Sequence, residues 1–247
     1  MKTRFAGLLG LAFCPSLLSA ADVHFQSGPA QTALVELYTS EGCSSCPPAE
    51  TWLSRKKDDP GLWKKFVPLA FHVDYWDRLG WRDRFSSKEW TQRQSRYSSL
   101  WQSESVYTPA VVLNGRELRG WSNADLARPG DPAAAGILSA TTTDGKTFAI
   151  EFKPASGQSA EWEVHLALLA SDISSKIGAG ENVGRNLKHD FVVLDLQGGE
   201  MKTNSGAEVA RLTTAAKAEA GARLAVAIWV TPRGQLAPVQ ATGGWLL

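Results

Sequence analysis

Cys43-Ser44-Ser45-Cys46 sets two thiols two residues apart, and this pair is the part of the sequence best suited to chemistry. Thiols at this spacing can close a structural disulfide, supply two ligands to a metal, or exchange with a disulfide elsewhere. A bridge closing over two residues removes little freedom from the unfolded chain, so as a staple it is weak. A structural zinc site usually takes four Cys or His ligands, and the sequence has no second CxxC. Dithiol exchange fits best: Cys43 attacks a substrate disulfide as the thiolate, and Cys46 resolves the mixed disulfide.

The flanking residues predict a strand before this pair and a helix after it. Ala33-Leu34-Val35-Glu36-Leu37-Tyr38 is a short apolar strand. Pro47 to Lys57 is helical, since proline suits a first turn whose amides have no intrahelical partner. That setting places Cys43 at a helix N-terminus, with the amides of Ser45 and Cys46 free to face its sulfur and the helix dipole favouring a thiolate. Phe66 to Val73 is a second strand. A third, Ala110 to Leu113, turns at Asn114-Gly115 and returns as Arg116 to Arg119. Thr108-Pro109 opens the third strand. The sequence does not reveal the isomer; opposite a dithiol a cis proline that holds the substrate chain is expected, an ordinary trans proline being the alternative.

His72 and Asp74 fall at the C-terminal end of the second strand, the edge where sites gather in parallel sheets. His72 can tune Cys43, shuttle protons, or complete a Cys43, Cys46, His72 ligand set for copper; the competing reading is a structural histidine. Trp76 lies in a stretch, Asp74 to Trp81, that reads either as a substrate shelf or as a packed aromatic corner. From Asp74 to Tyr107 the chain carries its own helix, with Ser86 and Glu89 as a capping box and Trp90, Tyr97 and Trp101 at helical spacing. Packing explains these aromatics better than substrate binding.

The first residues read as a secretory signal peptide over 1–21, with basic Lys2 and Arg4, an apolar run from Phe5 to Leu18, and small Ser19-Ala20-Ala21. Its loss removes Cys14, predicts a periplasmic or secreted protein without stable membrane insertion, and leaves the CxxC cysteines alone. The 26 basic and 25 acidic residues nearly balance, which argues against nucleic acid as a partner. After the Pro/Gly/Ala-rich passage Arg128 to Ala135, the runs 148–152, 162–168, 191–196 and 224–230 suit strands. Ala207 to Ala222 reads as helix by its alanines, or as strand through Val209 to Leu212. The polar run Glu181 to Asp190 reads as a loop, with an interdomain contact as the alternative.

The segment Val35 to Glu50 around the cysteines, Phe71 to Asp77, Tyr107-Thr108-Pro109 and Glu181 to Arg185 together resemble the recurring blocks of a bacterial secreted family, domain of unknown function 1223. The resemblance implies a thioredoxin-like fold and a dithiol facing a cis proline, without an established reaction. Gly42 and Ser44-Ser45 depart from thioredoxin proper, which has Trp before the first cysteine and Gly-Pro between the two. The expected architecture is an α/β thioredoxin-like domain over 30–130 with a helical insertion at about 74–107, followed by an all-β, sandwich-like domain over 140–247. The expected function is thiol-disulfide exchange with a protein or small thiol partner, without a cofactor. A copper or other soft-metal carrier and a non-catalytic envelope binding module are the alternatives. Cys43, Cys46 and Pro109 are the expected catalytic residues, with Thr108, His72, Asp74 and Trp76 around them.

Overall fold

The computed structural model describes residues 22–124, 126, 135–216 and 219–246; the expected signal peptide and most of the Pro/Gly/Ala-rich passage lie outside them. Along the chain run β1 (Val23–Gln26), β2 (Ala33–Thr39), α1 (Pro47–Ser54), β3 (Phe66–His72), α2 (Lys88–Leu100), β4 (Ala110–Leu113) and β5 (Arg116–Glu117). There follow β6 (Ile137–Thr142), β7 (Thr147–Lys153), β8 (Trp162–Ser171), β9 (Ile173–Lys176), β10 (Asn186–His189) and β11 (Val192–Glu200). The last four strands are β12 (Lys202–Asn204), β13 (Ala207–Thr213), β14 (Arg223–Pro232) and β15 (Gln240–Trp245). Among the described residues no helix is long and apolar enough to cross a membrane.

Eight strands form one sheet in the order β15-β14-β8-β11-β3-β2-β4-β5. β2 runs parallel to β3 and antiparallel to β4, and β11 joins β3 in parallel where Val192 faces Ala70. A five-stranded antiparallel sheet, β1-β6-β7-β13-β12, and the β9-β10 ribbon complete the structure.

The expectation of an α/β thioredoxin-like domain with a helical insertion, followed by an all-β domain, is overturned. The molecule is mostly strand, with two α-helices among the described residues, and strands from both halves of the chain share the large sheet. The physical reason is that alternating residues specify which faces of a strand are buried but not which strand lies beside it. β3 is buried along its whole length and needs a partner on each side; β2 supplies one and β11 the other.

Alternation then sorts the core. Leu34 and Tyr38 of β2 and Val67, Leu69 and Phe71 of β3 face one side, where they meet Trp90 and Tyr97 of α2 and Trp229 of β14. Helix α2 therefore covers a face of the sheet. Its N-cap is Ser87, whose side chain accepts from the Glu89 amide, one residue later than the expected Ser86. On the opposite face Ala33, Val35 and Leu37 meet Ala49, Trp52 and Leu53 of α1. Farther along that face Leu166, Leu168, Val226 and Ile228 pack against Phe148, Ile150 and Phe152 of the five-stranded sheet. Each such fully buried side chain contributes about 1.5–3 kcal/mol relative to exposure.

One buried ion pair interrupts the apolar face under α2. Arg93 Nε and Nη2 donate to the Glu36 carboxylate at 2.7 and 3.1 Å, and Tyr97 and Tyr38 donate to the same carboxylate at 2.6 and 3.0 Å. Every lone pair pointing inward thus has a donor, which is the condition for keeping a charge in a sheet core.

Candidate functional site

Three strand ends converge because β2 lies between β3 and β4 in register. Thr39 faces His72, and Tyr38 faces both Phe71 and Ala110, so the chain leaving β2 meets the end of β3 and the start of β4. The cysteine turn follows β2, His72 closes β3, and Thr108-Pro109 leads into β4. The Thr108-Pro109 bond is cis.

Cys43 and Cys46 are joined by a disulfide, and both are fully buried beneath exposed Ser44 and Ser45. The Ser45 hydroxyl lies 3.3 Å from Cys43 Sγ, and the Thr108 carbonyl oxygen 3.8 Å from it. α1 begins at Pro47 with Cys46 as its N-cap, so Cys43 stands one turn before the helix. The Cys46 amide donates to the Cys43 carbonyl at 3.2 Å, correcting the expectation that it would be left for the sulfur.

The turn is held from two sides. On one, Trp76 Nε1 donates to Thr108 Oγ1 at 2.8 Å, and the Trp76 side chain comes so close to Gly42 that an added Cβ there would stand 3.0 Å from Trp76 Cβ. On the other, Glu181 accepts from the Ser44 amide at 3.0 Å and from its hydroxyl at 2.7 Å. These bonds hold the Glu181 carboxyl below its ordinary range. Buried Asn182 donates through Nδ2 to the carbonyls of Glu41 and Cys43, both at 2.9 Å. The polar run expected to be a loop thus contributes Glu181 and Asn182 to the turn and His189, on β10, to the groups behind it.

Behind the turn lies a buried cluster of three carboxylates and two imidazoles: Glu41, Glu50, Asp83, His72 and His189. His72 Nδ1 stands 2.6 Å from Asp83 Oδ2, which also accepts from the Glu41 amide. His189 Nδ1 stands 2.5 Å from Glu50 Oε2, while Glu50 Oε1 accepts from Thr39 at 2.7 Å. His189 Nε2 is 3.1 Å from Glu41 Oε1 without the alignment of a hydrogen bond, and Trp81 Nε1 donates to Glu41 Oε2 at 2.6 Å. Burial alone favours neutral His189, but the Glu41 and Glu50 carboxylates outweigh it and push its pKa up to about 10. Burial likewise opposes charge on His72, and Asp83 reverses the direction, raising His72. Asp83 is lowered, because His72 outweighs its desolvation.

His72 is therefore gathered with Glu50 and His189, one ligand-type atom of each lying within 4.8 Å of the others; Cys43 and Cys46 do not belong to that group. Asp74 points away from the turn, its Oδ1 accepting from Thr91 on α2 at 2.6 Å. Glu41, Glu50, Asp83, Glu181, Asn182 and His189 were not singled out by the sequence reading. The available signal was that Glu41 and Glu50 flank the cysteines and that Glu181-Asn182 begins one of the family-like blocks.

A family described as "Protein of unknown function (DUF1223)" matches residues 34–231, a span holding both cysteines, the cis proline and the buried cluster. The chain belongs to this family. Among solved structures it is similar to protein AGR_C_4864 from Agrobacterium tumefaciens, with 25% identity, a TM-score of 0.61, and coverage of 88% of this chain and 95% of that one. HBP35 of Porphyromonas gingivalis is similar in fold, with 14% identity, a TM-score of 0.56, and coverage of 89% and 76%. No curated protein matches. For this DUF1223 member, function therefore has to be argued from the site itself.

Proposed function

We propose that this protein exchanges disulfides with a thiol-bearing partner in the periplasm or outside the cell, using Cys43 and Cys46. The observation that carries the reading is the joining of the two cysteines beside the Thr108-Pro109 segment, with the Thr108 carbonyl 3.8 Å from Cys43 Sγ. In the reduced protein the Cys43 thiolate attacks one sulfur of a substrate disulfide, and the other sulfur leaves with the bonding electrons and takes up a proton. Cys46, deprotonated, then attacks Cys43 Sγ, expelling the second substrate thiolate. The substrate gains two electrons and two protons, and the protein is left with the Cys43–Cys46 disulfide. A dithiol donor restores the reduced pair, and the same steps run backwards oxidise a substrate.

Because both sulfurs are covered, the turn has to open before exchange. The Glu181 side chain is the part of the cover that moves at least cost: its contacts with Ser44 are exposed, whereas Asn182 is buried against the turn and Trp76 is packed against Gly42. The test is a Cys46→Ser variant, which should accumulate mixed disulfides through Cys43 when offered disulfide-bonded proteins. Lack of thiol exchange by the wild type, together with lack of an adduct in that variant, rules the reading out. The complete burial of both sulfurs favours a second reading, a non-catalytic envelope module with an inert disulfide. On that reading the disulfide resists reductants in the folded protein.

A further inference from the structure

We infer that Glu50, His72 and His189 form a binding site for a divalent first-row transition-metal cation, separate from the dithiol. The three residues come from α1, β3 and β10, and each is at least nine-tenths buried. One oxygen or nitrogen atom from each lies within 4.8 Å of the others, and a cation with bonds of about 2.0–2.2 Å, whose tetrahedral ligands stand about 3.4 Å apart, draws them inward by up to about 1.4 Å.

The partners behind the histidines are those a metal site requires. A ligating imidazole ordinarily gives its second nitrogen to a carboxylate or carbonyl, which fixes the ring and raises the basicity of the ligating nitrogen. His72 Nδ1 is held by Asp83, and this leaves His72 Nε2 buried without a partner. His189 has a carboxylate beside each nitrogen, Glu50 at Nδ1 and Glu41 at Nε2. Whichever nitrogen binds the cation, the other retains an acceptor. Glu41 Oε1 and His189 Nε2 face each other at 3.1 Å as an ion pair, so the unpartnered nitrogen of the cluster is His72 Nε2.

Charge points the same way. Glu41, Glu50 and Asp83 bring three carboxylates into the interior, and among the described residues their ion pairs are with His72 and His189 alone, with neither lysine nor arginine. A divalent cation offsets two of those charges while leaving both imidazoles neutral, the form in which they coordinate. Two nitrogens and an oxygen suit zinc, iron(II) or manganese(II) better than copper(I), which prefers sulfur. A surface cleft of about 480 Å³ between α1 and β10 has Glu50 in its lining, with Arg55, Lys57, Arg185 and Lys188 also on its walls.

The experiment titrates zinc alone into the chain from residue 22 onward, which lacks Cys14, stripped with a chelator and kept with its disulfide intact so that no thiol is free to bind. One equivalent should bind and raise the melting temperature. Asp83→Asn, which is nearly isosteric, should weaken binding by about 10- to 100-fold. Glu50→Gln and His72→Ala should weaken it further. Cys43→Ser/Cys46→Ser should bind as the wild type does, so loss of dithiol exchange leaves this assignment standing. Should the cluster variants not fold, cobalt(II) bound to the wild type supplies the readout: visible d–d bands without a thiolate charge-transfer band support the site. Failure to bind zinc, undiminished binding in the folded Glu50 and Asp83 variants, or a thiolate band overturns it.

Discussion

The Glu181 carboxylate lies across the cysteine turn, accepting from both the amide and the hydroxyl of Ser44. It joins residues 137 positions apart in sequence and contributes to the cover over two sulfurs that have no exposed surface.

Glu181→Ala should therefore expose the pair. Loss of the two bonds from Ser44 favours local opening, so reaction of the native disulfide with a small thiol should speed up severalfold. Global stability should change little. Rates of thiol exchange measured under native conditions check this, and an unchanged rate would mean that Glu181 is not part of the cover.

Reducing the disulfide should cost little stability. A loop closed over two residues gives about 2 kcal/mol in the chain-entropy account, far less than a long-range staple. Denaturant unfolding of the oxidised protein and of Cys43→Ser/Cys46→Ser measures it. A loss above about 4 kcal/mol would favour the inert structural disulfide.

Arg93→Met should be severely destabilising, because it strands the buried Glu36 charge beneath α2. The expected cost is about 3–5 kcal/mol, and a second change, Glu36→Gln, should recover part of it. A double-mutant cycle in urea supplies both values. Additive effects of the two changes would contradict the pairing.

Acid should weaken the fold through His165, which stacks on Trp229 and whose pKa burial, aided by the Arg93 and Arg96 charges, lowers to about 3. Its folded pKa is below the unfolded value of about 6.5, so its contribution is complete above that pH. As pH falls from about 6.5 towards 3, the unfolded chain takes up a proton that the folded one refuses, and stability drops. Water reaches part of the ring, so the loss should be about 2 kcal/mol rather than the larger figure for an enclosed group. Urea unfolding at pH 7 and pH 4 should show this loss in the wild type and a smaller one in His165→Phe.

Much of the site's frame was legible in the chain. β2, β3 and β4 are short apolar runs with clear punctuation, the paired prolines mark the start of α1, and the cysteine spacing marks the turn. The expected neighbour at Thr108-Pro109 is where the structure places it, and Trp76 reaches it through Thr108. What the sequence concealed was long-range. β11 reads as a strand of a second domain, and nothing local says that it lies beside β3. Glu41 and Glu50 look like ordinary charged residues beside a turn. Their carboxylates both meet His189, which lies 139 residues after Glu50. Ala207 to Ala222 reads as helix by its alanines or as strand through Val209 to Leu212, and the structure has the strand, β13, where the ladder with β7 outweighs propensity.

Asn182 bonds the carbonyl of Cys43 from a point 139 residues later in the chain. During synthesis from the N-terminus, both cysteines exist long before the residue that clamps their turn. Before Asn182 is made, the disulfide can form in a turn without its clamp; once Asn182 has docked, forming or breaking it requires the same opening that exchange requires.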